Sequence, residues 1–374
     1  MQTKISVIIP VYNVEKFLPE ALDSVVNQEL DDMEILCVND GSKDSSLEIL
    51  KKYAAHDPRM QIISQKNAGY GAAVNKGLDL ATGEYIAVVE PDDYIRRDMF
   101  QILYNKAKET GAEVVKGDYL SFTGDGDERS FQYIQTAPSR DYYGKLFDAV
   151  ETPAMFYLHP TTWTGIYKKE FLDRHHIRHN ESPGAAFQDN GFWFQVFSYV
   201  RKIYVVNEDF YRYRTDNQGS SINSGTGSFR IFDEYRFIRD FLDKNPEVKE
   251  RLLYTYSFFR FDNYLARFYQ TSPEYREEFA LRFAKELKQA DAADEVDWKL
   301  FTPTFRYYLD ALLKDPAAFA REDRVPFPEI VWKEVLRRPD TEGLIENSFL
   351  PERGTKLKDN MANQESFTFM MKIS

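Results

Sequence analysis

The feature that most constrains the fold is a regular alternation of short apolar runs and amphipathic stretches over residues 4–122. The run KISVIIPV at 4–11 has the length and continuous apolar character of a buried strand. The stretch at 15–28 instead repeats its apolar residues at helical spacing. The same reading gives further strands at 34–39, 61–64, 85–89 and 113–116, and helices at 45–55, 71–81 and 98–110. Strands that alternate with helices predict an open, mostly parallel α/β sheet.

The pattern changes twice after residue 122. A turn-rich break, TGDGDE at 123–128, precedes a region of short helices and strands, and a Gly/Ser/Asn-rich stretch at 218–228 lacks periodicity. Apolar stripes at helical spacing then run to about residue 338, followed by a polar tail. We therefore expect a first domain at 1–222 with halves at about 1–122 and 123–222, a helical subdomain at 223–338 and a tail at 339–374.

Composition limits the kind of partner. The formal net charge of −12 argues against a nucleic-acid binder, which would carry a basic field, but a metal ion could still neutralise a bound diphosphate locally. No apolar stretch approaches the length of a membrane span, and the single cysteine, Cys37, lies inside a strand-like run. We expect a cytoplasmic protein, with peripheral association at the inner face of a membrane and homo-oligomer formation both left open.

Two polar segments follow the first two predicted strands. They are PVYN at 10–13 and NDGS at 39–42, and ligands of open α/β sheets bind beyond the carboxyl ends of the strands. A tyrosine there could stack on a base, and an aspartate could accept hydrogen bonds from a base or ribose. Each segment alone reads as a turn, but the pair at corresponding positions favours a nucleotide site.

Two acidic segments suggest catalytic chemistry. In EPDD at 90–93, adjacent carboxylates follow a buried strand. Placing these charges side by side becomes favourable if a divalent cation lies between them and a diphosphate. The alternative is a solvated acidic turn that caps a helix. In QD at 188–189, the aspartate begins a predicted helix at 189–200, where it is either a helix cap or a general base for an acceptor hydroxyl.

Taken in order, these segments resemble the motifs of family 2 glycosyltransferases of the GT-A fold. The resemblance covers residues 4–222 and rests on IPVYN, VNDGSKDSS, NAGYGAAVNKGLDLATGEY, EPDD, QDNGFWF and YRYRTDNQGSS. The stretch HPTTWTGIYKKEFL at 159–172 also resembles bacterial enzymes that assemble capsule or cell-surface polysaccharide. The implied fold is a Rossmann-like, mostly parallel GT-A sheet with a C-terminal helical subdomain.

The resemblance also implies roles for individual residues. It makes Asp189 the catalytic base, and it gives a metal, Mn²⁺ or Mg²⁺, to Asp92 and Asp93. Trp163 lies where relatives contact the acceptor. Glu90 and Gln188 depart from the family pattern, which has Asp and Glu there. The nucleotide-binding residues implied are Pro10, Tyr12, Glu15, Asp40, Ser42, Asn67, Gly69, Asp92, Arg214 and Ser220.

The implied activity is that of an inverting hexosyltransferase-type enzyme. It would move a sugar from a UDP-sugar to a hydroxyl of a glycan acceptor, lipid-linked or protein-linked. A sugar-nucleotide nucleotidyltransferase should show a Gly-rich phosphate loop after the first strand, where this chain has PVYN. A non-catalytic partner subunit of the same fold is the other alternative, and the retained aspartates at 40, 92, 93 and 189 speak against it.

Overall fold

The structure, a computed structural model, describes residues 3–217 and 227–321. The chain divides into two compact units, Met1–Gly219 and Ser220–Ser374. Within the described ranges, none of the helices combines the length and apolar character that crossing a bilayer requires.

The first unit is built on one large sheet. In the described part its strands follow the order β3-β2-β1-β4-β9-β6-β10-β5, with β7 on β6 and β8 on β10. The strands are β1 (Ile5–Val11), β2 (Met33–Asn39), β3 (Met60–Ser64), β4 (Tyr85–Val88), β5 (Tyr94–Ile95), β6 (Val114–Thr123), β7 (Ser130–Ile134), β8 (Leu146–Phe147), β9 (Gly165–Lys168) and β10 (Ile203–Arg214).

The sheet is parallel in its first half and mixed in its second. The strands β1 to β4 pair in parallel, and Val11 at the end of β1 lies opposite Asn39 at the end of β2. However, β9 runs antiparallel to both β4 and β6. Between β6 and β9 the described chain forms only short 3₁₀ turns and strands, so no long helix is available for a parallel crossover. The mostly parallel pattern predicted from residues 4–122 therefore applies to the first half.

Helices cover the sheet of the first unit. They are α1 (Leu18–Val26), α2 (Ser46–Ala54), α3 (Tyr70–Leu80), α4 (Met99–Thr110), α5 (Lys169–Arg174) and α6 (Gln188–Tyr199). On α1, the apolar residues at helical spacing, Leu18, Leu22 and Val25 among them, are buried as the periodicity predicts. Two strands are longer than predicted: β6 reaches Thr123, and β10 continues through the polar stretch NEDFYRYR because register shifts keep it paired with β6.

The second unit is helical over its described residues. Its helices are α7 (Arg230–Lys244), α8 (Pro246–Gln270), α9 (Arg276–Ala292), α10 (Pro303–Lys314) and α11 (Pro316–Arg321). Aromatic rings form its core: the ring of Phe232 lies 4.4 Å from that of Tyr264 and 4.7 Å from that of Phe279, centroid to centroid. The predicted helical C-terminal portion is thus confirmed where the chain is described, and residues 322–374 lie outside that part.

Candidate active site

The loops that follow β1 and β2 are fastened to each other. The backbone N–H of Asn13 donates to Oγ of Ser42 at 3.1 Å, and the N–H of Ser45 donates to Oε2 of Glu15 at 2.7 Å. Asn13 adopts a left-handed backbone (φ 51°), which lets the chain turn sharply after the strand. Pro10 is buried, while the ring of Tyr12 is 44% exposed beyond the strand end. Tyr12 is therefore presented for stacking, whereas Glu15 and Ser42 hold the two loops together.

Asp40 braces the loop that leads into α3. Its carboxylate is 3% exposed, and its Oδ1 and Oδ2 accept hydrogen bonds from the N–H groups of Ala68 and Gly69, each at 2.9 Å. Gly41 has a φ of +76°, and a Cβ there would lie 2.9 Å from the backbone N of Asn67. Asn67 itself is exposed. The sequence predicted that Asp40 binds the nucleotide, but in this structure its oxygens hold the loop of Asn67.

The N-terminus of α3 lies against the segment that precedes α6. Gly69 (φ +95°) sits so close that a Cβ would be 2.9 Å from the backbone N of Gly184, and the N–H of Tyr70 donates to the carbonyl of Gly184 at 2.9 Å. Asn75 on α3 bonds both the N–H and the carbonyl of His179. The start of α3 and the segment before α6 are thus joined, and the close approach of Gly184 explains the glycine at position 69.

Each carboxylate of the acidic segment at 90–93, beyond β4, accepts a hydrogen bond from another side chain. The hydroxyl of Tyr70 donates to Oε1 of Glu90 at 2.7 Å, and Nδ2 of Asn217 donates to Oδ2 of Asp92 at 2.7 Å. Asp93 is 1% exposed; its Oδ2 accepts from the hydroxyl of Tyr211 at 2.9 Å. The segment is therefore held in place from α3 on one side and β10 on the other.

The carboxylates of this segment are buried and repel one another. Burial raises the pKa of Glu90 to about 8, and the negative charges of Asp189 and Asp92 add to the effect. Burial also raises the pKa of Asp92 and, together with the charge of Asp92, raises that of Asp93 well above its usual range. Because like charges close together disfavour ionisation, a divalent cation here would stabilise all of these carboxylates.

Asp92 and Asp93 differ in how well they suit a metal. Asp92 is half-buried at the edge of the site, whereas both oxygens of Asp93 accept hydrogen bonds in a buried position, the second from the N–H of Arg214 at 2.7 Å. Among the residues that the structure describes, no three His, Cys, Asp or Glu side chains converge to hold a metal ion by themselves. The arrangement fits a metal held by Asp92 and completed by ligand oxygens, with Asp93 fixing the backbone around it.

Asp189 lies at the start of α6, as the sequence predicts. Its Oδ1 accepts a hydrogen bond from the hydroxyl of Thr162 at 3.1 Å. Burial raises the pKa of Asp189 to about 6, against the opposing effects of the Thr162 bond and the positive charge of Lys116. A carboxylate with this pKa is ionised at neutral pH and is a stronger base than an ordinary aspartate. Its neighbour Gln188 accepts from the N–H of Ala186 at 2.6 Å and so shapes the turn into the helix.

Arg214 is engaged inside the protein. Its side chain is 2% exposed. The guanidinium donates hydrogen bonds to Glu20 at 3.2 Å and to Asp125 at 3.1 Å. It also lies 4.6 Å from the ring centres of both Phe17 and Phe122. The sequence predicted a contact with the diphosphate, whereas the guanidinium here points into an acidic and aromatic surround. The second residue predicted for that contact, Ser220, lies outside the described residues.

Trp163 is also buried. Only 4% of it is exposed, and its ring stacks on Tyr213 with centroids 5.1 Å apart and planes inclined by 4°. Tyr211 and Tyr119 pack on it at 4.3 Å and 4.8 Å. Trp163 is therefore packed among rings of β6 and β10, and its predicted contact with an acceptor stays a prediction.

Three side chains that the sequence analysis did not identify lie next to the candidate site residues. Tyr70 bonds Glu90, Thr162 bonds Asp189, and Lys116 lies close enough to act on the pKa of Asp189. Tyr70 and Thr162 stand inside the quoted motifs NAGYGAAVNKGLDLATGEY and HPTTWTGIYKKEFL, but nothing in those letters indicates which residue they touch.

Comparison with known proteins agrees with the family that the sequence motifs indicate. The model of glycosyl transferase family 2 matches residues 6–234. Over 219 residues the chain is 36% identical to the glycosyltransferase GlyA of Streptococcus pneumoniae, a match that covers 56% of this chain and 30% of GlyA. It is 33% identical over 224 residues to the poly(ribitol-phosphate) beta-glucosyltransferase of Bacillus spizizenii, covering 59% of this chain and 33% of the relative. The chain thus spans about a third of the length of these two curated relatives.

Solved structures agree in fold. The Staphylococcus aureus protein TarS, residues 1–349 in complex with UDP, superposes with a TM-score of 0.55 at 21% identity, over 84% of this chain and 89% of that one. The predicted GT-A type of α/β fold with a helical C-terminal portion is therefore confirmed. The family match covers well over half of the chain and includes every motif on which the resemblance rests. The chain belongs to glycosyl transferase family 2.

Proposed function

We propose that this glycosyltransferase transfers a sugar from a UDP-sugar to a hydroxyl of a glycan acceptor, with inversion at the anomeric carbon. The observation that carries the proposal is the position of Asp189 relative to the acidic segment at 90–93. Asp189 lies on α6, and its charge raises the pKa of Glu90, which follows β4. Asp189 itself has a pKa of about 6, which suits a general base, and it lies within electrostatic range of the expected diphosphate site.

In the proposed step, Asp189 accepts the proton of the acceptor hydroxyl. The acceptor oxygen forms a bond to the anomeric carbon as the bond from that carbon to the UDP oxygen breaks, and the bonding electron pair leaves with UDP. Thr162 holds one oxygen of Asp189 by its hydrogen bond of 3.1 Å during this exchange. A single displacement from the face opposite the leaving group inverts the configuration.

The nucleotide would lie over the ends of β1 and β2. Tyr12, with its exposed ring, is the residue best placed to stack on a nucleobase. The hydrogen bonds between the loops after β1 and β2 restrict the movement of its backbone. Asp92 would hold Mn²⁺ or Mg²⁺, which when bound acts as a Lewis acid that stabilises the negative charge of the departing UDP. Asp93 and Tyr211 keep Asp92 and its backbone in position.

The substrate class follows from the chemistry and the relatives' names. TarS has been seen in complex with UDP, and the relative from Bacillus spizizenii is named for poly(ribitol-phosphate) glucosylation. These names, with the resemblance of residues 159–172, support a role in assembling a bacterial surface polysaccharide or glycoconjugate. The acceptor would then be a lipid-linked or protein-linked glycan.

The alternative of a sugar-nucleotide nucleotidyltransferase has less support. Such an enzyme needs a loop after β1 whose backbone cradles a triphosphate. Here that loop contains Tyr12 and Asn13 in place of glycines, and its N–H groups are bonded to side chains of the following loop.

The test is a screen of UDP-sugars for UDP release in the presence of Mn²⁺, repeated with Asp189→Asn. The variant should still bind UDP but lose transfer by about 10²- to 10⁴-fold, which is the typical contribution of a positioned base. Asp79→Asn is the matched control, because Asp79 lies on α3 in an exposed ion pair with Arg178 at 3.2 Å. Normal transfer by a folded Asp189→Asn would show that Asp189 is only the first-turn acid of α6.

A further inference from the structure

A lysine is buried behind the candidate base. Lys116, the third residue of β6, is 1% exposed. Its ammonium group donates to the carbonyl oxygen of Thr161 and, at 3.5 Å, to the hydroxyl oxygen of Tyr167. Removing an ammonium group from water costs free energy that hydrogen bonds to neutral oxygens offset only in part. A buried lysine of this kind calls for a further electrostatic partner.

Lys116 and Tyr167 together fix the backbone that leads into β9. The hydroxyl of Tyr167 donates to the carbonyl of Thr162 at 3.0 Å, so two successive carbonyls are held from β6 and β9. The segment also approaches β6 very closely: a Cβ at Gly165 would lie 2.3 Å from the carbonyl oxygen of Val115. Residues 161–165 therefore have little freedom to move relative to the sheet.

This fixed segment presents Thr162 to α6. The Thr162 side chain is 1% exposed, and its hydroxyl donates to Oδ1 of Asp189 at 3.1 Å. The positive charge of Lys116 lowers the pKa of Asp189, and burial lowers the pKa of Lys116 to about 7, with Asp189 acting in the opposite direction. The electrostatic partner of the buried lysine is thus the candidate base itself.

We propose that Lys116 and Thr162 are positioning residues for Asp189: Lys116 fixes the segment that carries Thr162, and Thr162 occupies one carboxylate oxygen so that the other receives the proton. This assignment rests on the proposed role of Asp189 as the base. It gives a function to part of the motif at 159–172, which the nucleotide and metal sites leave unused.

The charge of Asp189 acts on further titratable groups of neighbouring elements. They are Glu90 beyond β4, Tyr70 on α3 and Tyr167 on β9. Glu90, with a pKa of about 8, is protonated near pH 6 and so carries no charge while Asp189 titrates, and all three groups remain in place in the variants below. Loss of the Lys116 charge or of the Thr162 bond removes an effect that favours the carboxylate form, so each change should raise the pKa of Asp189.

The experiment is an NMR titration of the full chain with ¹³C-labelled aspartate carboxyl groups, without metal or nucleotide. The Asp189 signal is assigned by its loss in Asp189→Asn. We expect a midpoint near pH 6 in the wild type, and a midpoint about one pH unit higher in Lys116→Met and in Thr162→Val. Lys116→Met should also resist urea less well than the wild type, because removing one member of a buried charge pair leaves the other charge uncompensated.

Thr164→Val is the matched control. Thr164 is 1% exposed like Thr162, but its hydroxyl pairs at 2.8 Å with that of Thr161 and does not bond Asp189. It should lose some stability and keep the wild-type midpoint. An Asp189 midpoint that stays in place in both Lys116→Met and Thr162→Val would overturn the positioning role, whatever the transfer assay shows. A moved midpoint together with full transfer by Asp189→Asn would instead remove the base from the proposed function.

Discussion

The hydroxyl of Tyr70 donates a hydrogen bond to Oε1 of Glu90 at 2.7 Å, joining the first turn of α3 to the acidic segment beyond β4. Both residues belong to motifs on which the family resemblance rests, and the resemblance leads us to expect Asp where this chain has Glu90. The bond connects α3 to the segment at 90–93, and it places a hydrogen-bond donor beside a carboxylate whose surroundings disfavour its charge.

Tyr70→Phe should therefore destabilise the protein. The change leaves a half-buried carboxylate without its hydroxyl donor, which typically costs about 1–3 kcal/mol in free energy of unfolding. Urea unfolding at pH 8.5 measures the loss. Tyr104→Phe is the control, since the hydroxyl of Tyr104 donates to Glu84 at 2.8 Å, and Glu84 keeps a second donor in Lys108. An equal decrease in the free energy of unfolding in both variants would mean that the bond from Tyr70 to Glu90 stabilises the protein no more than the bond from Tyr104 to Glu84.

The pKa of Glu90 also predicts how stability depends on pH. Its value of about 8 in the folded chain lies above the ordinary 4.5, so the stability that the protonated group contributes is lost as pH rises towards and through 8. Without divalent metal, the free energy of unfolding should fall by on the order of 1–2 kcal/mol between pH 6.5 and 8.5 relative to Glu90→Gln. Urea unfolding of both proteins with a chelator measures the difference. Parallel pH profiles would contradict the raised pKa.

Asp92 and Asp93 should separate metal binding from structural support. We expect Asp92→Ala to remove the Mn²⁺-dependent part of the UDP affinity, measured by calorimetry, while the protein stays folded. Asp93→Ala should lower the free energy of unfolding by about 2–4 kcal/mol, because the hydroxyl of Tyr211 and the N–H of Arg214 lose their buried acceptor. If Asp93→Ala kept its stability and lost only the Mn²⁺ dependence, Asp93 would be a metal ligand itself.

The helical unit should depend on its aromatic core. Phe283 on α9 is fully buried, with its ring 5.4 Å from that of Tyr264 and 5.9 Å from that of Phe261. Phe283→Ala should cost about 3–5 kcal/mol, the usual range for removing a buried phenylalanine ring. Leu281→Ala on the same helix is the control, since Leu281 is 51% exposed and should change stability by less than about 0.5 kcal/mol. Thermal unfolding of the full chain compares the two.

Much of the fold could be predicted from local pattern. The apolar run at 4–11 and the helical periodicity at 15–28 correspond to β1 and α1 within a few residues. The far end of β10 could not be predicted in this way. Its stretch NEDFYRYR is polar and lacks strict alternation, and it becomes a strand only because β6 supplies hydrogen bonds across two register shifts.

The sequence by itself determined the order of elements and the position of the acidic and nucleotide motifs at strand ends, because periodicity and turn chemistry are local properties of the chain. Only the tertiary structure decided what each motif residue touches. Arg214 and Trp163 are enclosed by rings and carboxylates from other elements, and Thr162 meets Asp189 across 27 positions of sequence. Such contacts depend on how the strands and helices pack, and packing is set by the sum of many weak interactions that no single motif contains.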